Sequence, residues 1–83
     1  MKNKLIYFFP DDFNTSKAHF QKKLFEDGVE VKKDDPIALI ESSKKIQEIL
    51  AIETGIIYWL INEGDFVSRG DLIAVIAHEK MQK

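Results

Sequence analysis

Short apolar runs separated by turn residues dominate this chain. The first covers residues 5–9, is rich in β-branched and aromatic residues, and ends at Pro10-Asp11-Asp12. Later runs cover residues 37–40, 46–52, 56–61 and 72–77, each bounded by Gly, Asp, Asn or Ser. Runs of this length with turn residues between them are typical of a small all-β sandwich or barrel.

Two segments carry mixed signals. Between residues 15 and 26, Ser16 offers a helix cap and Phe20 and Leu24 have helical spacing, but Gly28 ends the segment early. Residues 42–50 offer a serine cap followed by apolar positions at helical spacing, and they are an equally good β-hairpin. Local propensity alone does not decide between helix and strand in either place.

An internal repeat decides the second case. Residues 26–40 align without a gap onto residues 62–76, at a constant offset of 36 residues. Identical residues occupy these positions of the two copies: Gly28/Gly64, Val31/Val67, Asp35/Asp71, Ile37/Ile73, Ala38/Ala74 and Ile40/Ile76. Two copies of one unit predict two similar sheets that are related by a pseudo-twofold axis and packed face to face.

The repeat also predicts its turns and its connection. The shared glycine suits a turn position with positive φ, and the shared aspartate suits a side-chain bond to its own backbone. The segment between the copies leaves one strand and must return into the other half, so residues 37–41 and 46–50 are predicted to pair as a β-hairpin. Lys44 or Lys45 then lies at the exposed tip, and we expect the chain termini at the opposite end of the molecule.

Length and composition narrow the class of protein. The 83 residues are predicted to form one domain, residues 1–83, because independent folding units typically have 50 to 250 residues. Twelve basic residues against fourteen acidic ones give a formal net charge of −2, which argues against a nucleic-acid partner. No apolar run reaches the roughly 18 residues of a membrane helix, so no membrane partner is expected.

The residue types also limit the chemistry. The chain has no cysteine, which excludes disulfides and thiolate nucleophiles and leads us to expect a reducing compartment such as the cytoplasm. His19 and His78 have no metal-ligand spacing, and no Ser-His-Asp arrangement is suggested. We therefore expect neither a catalytic constellation nor a metal site.

Several motifs succeed one another in a recognisable order. They are residues 27–31 (DGVEV), 34–35 (DD), 40–44 (IESSK), 51–55 (AIETG) and 64–71 (GDFVSRGD). With these motifs the chain resembles the lipoyl/biotinyl attachment domain family over nearly its whole length. The resemblance implies a flattened β-barrel or sandwich, a barrel-sandwich hybrid of two four-stranded sheets with a lysine-bearing hairpin.

The resemblance also implies a modification site. Lipoyl domains carry a modified lysine in this hairpin and a glycine eleven residues later. Gly55 is eleven residues after Lys44, so Lys44 matches that spacing and Lys45 does not. Biotin acceptors usually place methionine on both sides of the lysine, whereas Ser43 and Lys45 stand here. Lipoate is therefore favoured, and Glu41, Ser43 and Gly55 are implied as recognition positions for the lipoate-attaching enzyme.

The function that the resemblance implies is that of a carrier without catalytic residues of its own. Lipoate on Lys44 would shuttle acyl groups and reducing equivalents between the active sites of a multienzyme complex of the 2-oxo acid dehydrogenase type. The implied partners are the attaching enzyme and the dehydrogenase, acyltransferase and flavoprotein components. Two alternatives stay open, namely a biotin carboxyl carrier domain and an unmodified lipoyl-like interaction module.

Overall fold

The computed structural model describes residues 3–10, 17–42 and 45–78, and every element within these ranges is a β-strand. The strands are β1 Lys4–Tyr7, β2 Lys17–Lys23, β3 Glu30–Val31, β4 Pro36–Ser42, β5 Lys45–Leu50, β6 Gly55–Trp59, β7 Phe66–Ser68 and β8 Leu72–Ala77. They form two four-stranded antiparallel sheets. We name the sheet of order β1-β8-β6-β3 the β1 sheet and the sheet of order β5-β4-β2-β7 the hairpin sheet. The predicted all-β class with two four-stranded sheets is confirmed.

A single core lies between the two sheets. Along β6 the buried positions alternate with half-buried ones, which is the period-2 pattern of a strand with one face inward. Phe20 of the hairpin sheet packs edge to face against Trp59 of the β1 sheet, with ring centroids 5.5 Å apart. The Trp59 indole N–H is satisfied by the Phe25 carbonyl at 2.8 Å. The sheets therefore face each other as a flattened sandwich.

The two sheets correspond strand by strand. The strands β1, β8, β6 and β3 of one sheet occupy the places of β5, β4, β2 and β7 of the other. Equivalent backbone bonds recur at the offset of 36 residues: the Leu24 N–H donates to the Ile37 carbonyl and the Leu60 N–H to the Ile73 carbonyl, both at 2.9 Å. The pseudo-twofold relation predicted from the repeat thus extends to individual hydrogen bonds.

Each repeat copy contributes to both sheets. The first copy places β3 in the β1 sheet and β4 in the hairpin sheet, and the second copy places β7 and β8 the other way round. A copy of the repeat is therefore not a sheet. The two copies interlock, and the sandwich requires both.

The turns of the repeat behave as predicted. Gly28 and Gly64 have φ of 83° and 95°, a region that is readily open only to glycine. Asp35 and Asp71 each accept a hydrogen bond from the backbone N–H three residues earlier, at 2.9 Å and 2.8 Å. Both expectations for the shared glycine and the shared aspartate are confirmed.

Residues 17–23, which carried mixed signals, form strand β2. Ala18 and Phe20 alternate with more exposed neighbours and enter the core, while the register shifts between Phe20 and Lys22 at a bulge. Leu24 lies beyond the strand and is exposed, so its helical spacing from Phe20 has no structural counterpart. Ser16, the suggested cap, lies outside the described residues.

An acidic side chain in each repeat ties its turn to a neighbouring strand. The Trp59 N–H donates to Asp27 Oδ1 at 2.7 Å, and the Lys23 N–H donates to Glu63 Oε2 at 2.8 Å. Donors and acceptors are both related by the offset of 36 residues. A hydrogen bond to a charged acceptor contributes more than a neutral one, about 1.5–3 kcal/mol.

We expect Asp27→Ala to lower the free energy of unfolding by about 1–3 kcal/mol, because it leaves the Trp59 N–H without its acceptor. Asp27→Asn keeps an oxygen acceptor and should lose less. Urea unfolding followed by the fluorescence of Trp59, the only tryptophan of the chain, measures both variants. Equal stability of Asp27→Ala and the unchanged protein would contradict this role.

Candidate functional site

The hairpin predicted between residues 37 and 50 is present. Strands β4 and β5 pair in antiparallel register from Pro36 opposite Leu50 to Ser42 opposite Lys45. Two residues, 43 and 44, therefore connect the paired strands, and two-residue connections are the commonest in β-hairpins. The hairpin interpretation of this segment is confirmed.

The predicted site residues fall into three groups. Ser43 and Lys44 lie outside the described residues, between the paired ends of β4 and β5. Glu41 is exposed on β4, opposite Ile46 of β5 on one side and His19 of β2 on the other. Gly55 is buried at the start of β6, in the other sheet.

Gly55 has a steric reason to be glycine. A Cβ atom at this position would lie 2.5 Å from the Ala77 carbonyl oxygen and 2.6 Å from Ile76 Cγ2. Neither distance leaves room for a carbon atom. Since β6 and β8 pair side by side here, a side chain on Gly55 would push the two strands apart. The sequence indicated a role for this glycine but not the close approach, which depends on contacts with Ile76 and Ala77 in strand β8.

An open groove lies beside the turn end of the hairpin, and no pattern in the sequence predicted it. It has a volume of about 420 Å³ and is lined by residues of three strands of the hairpin sheet: Lys17, Ala18, His19, Glu41, Ser42 and Phe66. The Phe66 ring is 67% exposed. The Lys17 Nζ lies 5.2 Å from its centroid and the His19 ring lies 5.6 Å away. The groove thus combines an exposed aromatic ring with a polar rim, in which the Lys17 ammonium group lies over that ring.

Other polar clusters are sparse in the described part of the chain. Within residues 3–10, 17–42 and 45–78, no three His, Cys, Asp or Glu side chains come together as a metal site. His78 and Glu53 approach to 3.8 Å, and both side chains are more than one-third exposed. The same ranges contain no helix of the length and apolarity needed to cross a membrane.

Comparison with known proteins gives the family. A family model for biotin and lipoyl domains, described as "Biotin-requiring enzyme", matches residues 12–76, which is well over half of the chain. The match spans the hairpin and both copies of the repeat. The chain belongs to the biotin/lipoyl attachment family, whose members are carrier domains that hold lipoate or biotin covalently. No curated protein matches the chain.

We expect Gly55→Ala to lower the free energy of unfolding by about 3 kcal/mol, at the upper end of the range for overpacking, because the clash is with backbone. Gly70→Ala is the matched control. Its φ of 88° disfavours a side chain, but nothing lies within 4 Å of the added Cβ, so we expect a loss of about 1 kcal/mol. Urea unfolding measures both. If Gly55→Ala is as stable as Gly70→Ala, the clash with β8 adds no cost and the prediction is wrong.

Proposed function

We propose that this protein is a lipoyl carrier domain in which Lys44 is the attachment residue. The observation that carries the proposal is the pairing of Ser42 with Lys45, which leaves only residues 43 and 44 to turn the chain. Of these two residues only Lys44 has an amine that can form an amide. Lys45 is already a paired residue of β5, so the strand pairing and the eleven-residue spacing to Gly55 favour the same lysine.

The proposed chemistry resides in the attached group. An amide between the lipoate carboxyl and Lys44 Nζ replaces an ammonium charge with a long neutral arm, and the dithiolane at its end carries the acyl group and the electrons. The protein supplies presentation and recognition. A tethered arm is held at a high effective concentration, in the millimolar range for short flexible linkers, at each active site that it reaches.

The rigid base of the hairpin supports this role. Strand β4 is paired on both sides, by β5 and by β2, and its inward residues Ile37 and Ile40 are fully buried. The turn is therefore anchored to the core rather than to a loop. Exposed Glu41 lies on β4 close to the turn, where an attaching enzyme can contact it. We propose Glu41 and Ser43 as direct recognition positions, and Gly55 as one that acts by keeping β6 against β8.

The proposed partners follow from the chemistry of the arm. A lipoate-attaching enzyme loads Lys44, a dehydrogenase acylates the dithiolane reductively, an acyltransferase removes the acyl group and a flavoprotein reoxidises the dithiol. We propose that the protein serves these components of a multienzyme complex and has no catalytic residues of its own.

A biotin carboxyl carrier is the second candidate, because the matching family includes biotin domains. The flanks of Lys44 favour lipoate, since Ser43 and Lys45 stand where biotin acceptors usually have methionine. An unmodified interaction module is the remaining outcome of the experiment.

The test is intact mass spectrometry of the protein produced in cells that make both lipoate and biotin. We expect the unchanged protein and Lys45→Ala to carry one lipoyl increment, and Lys44→Arg to carry none. Lys44→Arg keeps the positive charge but cannot form the amide, so it separates attachment from electrostatics.

A known lipoyl domain produced in the same cells is the positive control. An increment of biotin on Lys44 would replace the proposal with the second candidate. No increment on the unchanged protein, while the control domain is modified, would overturn the carrier function itself.

A further inference from the structure

The pseudo-twofold relation provides an internal comparison for the groove. In the hairpin sheet, Phe66, His19 and Glu41 stand side by side across β7, β2 and β4. The equivalent row of the β1 sheet holds Glu30, Ile56 and Ala77, across β3, β6 and β8.

The two rows differ in chemistry more than in exposure. Glu30 is exposed like Phe66, and Ile56 is half-buried like His19, but Ala77 is only 3% exposed where Glu41 is exposed. The corner beside the hairpin therefore has an exposed aromatic ring and an exposed carboxylate, where the equivalent corner has an exposed carboxylate and a buried alanine.

The open groove has the character of a site for an apolar group. The exposed side chain of Phe66 supplies its apolar surface, to which the almost fully buried Ala18 adds little, while Lys17, His19 and Glu41 supply its polar rim. The groove has a volume of about 420 Å³ and is open to solvent, so it would cover one side of a bound group rather than enclose it. Covering the exposed ring of Phe66 would remove apolar surface from water, which is favourable.

We propose that this groove binds the dithiolane end of the lipoyl arm attached to Lys44. The inference rests on the proposed function and adds a docking place for the arm on its own domain. Ser42 lines the groove and precedes Lys44 by two residues, a distance of at most about 7 Å along the chain. The arm, with roughly eleven bonds from Cα to the dithiolane ring, is long enough to reach back over that distance.

The chemistry of the arm matches the groove. Amide formation removes the lysine charge, so the arm has no ammonium group that must stay in water. Its sulfur atoms are polarizable, and sulfur contacts with aromatic rings are favourable. Phe66 offers such a ring in an exposed position, at the place where the other half of the fold has Glu30.

Weak affinity is sufficient for docking. Because a tethered group has an effective concentration in the millimolar range, a dissociation constant of about 1 mM for the free group already gives a docked arm roughly half of the time. A partner enzyme then meets a docked arm and a free arm in equilibrium. The groove would set the fraction of arms that are available for reaction.

The first experiment titrates lipoamide into the unmodified protein and follows backbone amide signals by NMR. We expect saturable shifts at Ala18, His19 and Phe66, with a dissociation constant of about 1–10 mM. Phe66→Ser should weaken binding at least fivefold. Phe9→Ser is the matched control, because Phe9 is 60% exposed and does not line the groove, and it should bind like the unchanged protein.

Three results would overturn the proposal. The first is the absence of saturable shifts at these residues, and the second is equal affinity of Phe66→Ser and Phe9→Ser. The third is tighter binding of biotinamide than of lipoamide, which would assign the groove to a different group. Far-UV circular dichroism of both variants establishes that they keep the β fold.

The second experiment compares the lipoylated protein with Lys44→Arg by the same NMR measurement. We expect the groove residues to shift in the lipoylated protein as they do with free lipoamide, and unshifted groove signals would overturn arm docking. Mass spectrometry reports separately whether the arm is attached. A failure of attachment is therefore distinguishable from a failure of the groove, which the lipoamide titration tests without any attachment.

Discussion

The shared core between the sheets is the constraint on which the rest of the structure depends. Each repeat contributes one strand to each sheet, so the inward residues of both copies enter one core, as with the fully buried Ile37 and Ile73. Burying a side chain of this size contributes about 1.5–3 kcal/mol. A chain of 83 residues has few such side chains, and neither sheet has a buried face without the other. The fold is therefore cooperative, and the packing of the core determines where surface features such as the hairpin lie.

The hairpin illustrates this dependence. Strand β4 lies between β5 and β2, and its inward residues fix its register, because a slip of one residue would turn the buried Ala38 and Ile40 towards solvent. That register sets Ser42 opposite Lys45. The position of the connection between β4 and β5, which contains the lysine that we propose as the attachment residue, is thus decided by packing elsewhere in the hairpin sheet. A rigid support of this kind suits a carrier whose moving part is a side chain and its attached group.

The sequence predicted the features that repeat or that lie close together along the chain. The apolar runs indicated the longer strands, and the gapless alignment resolved the ambiguous residues 42–50 as a hairpin. Strands β3 and β7, with two and three residues, are too short to show an alternating pattern. The groove was not predictable, because it requires the pairing of β2 with β7, and β2 carried conflicting local signals. The close approach at Gly55 likewise arises from tertiary structure.

The internal symmetry separates structural demands from functional ones. Positions that are identical in both copies, such as Val31 and Val67, serve the core or the turns and satisfy the same physical requirement twice. Outward positions carry no such double requirement, and there the halves differ, as with Phe66 and Glu30. An exposed phenylalanine contributes little to the core and leaves apolar surface in water. Because the fold does not need it, and because it stands beside the hairpin rather than at the equivalent corner, the difference between the halves locates the surface on which a binding role is to be tested.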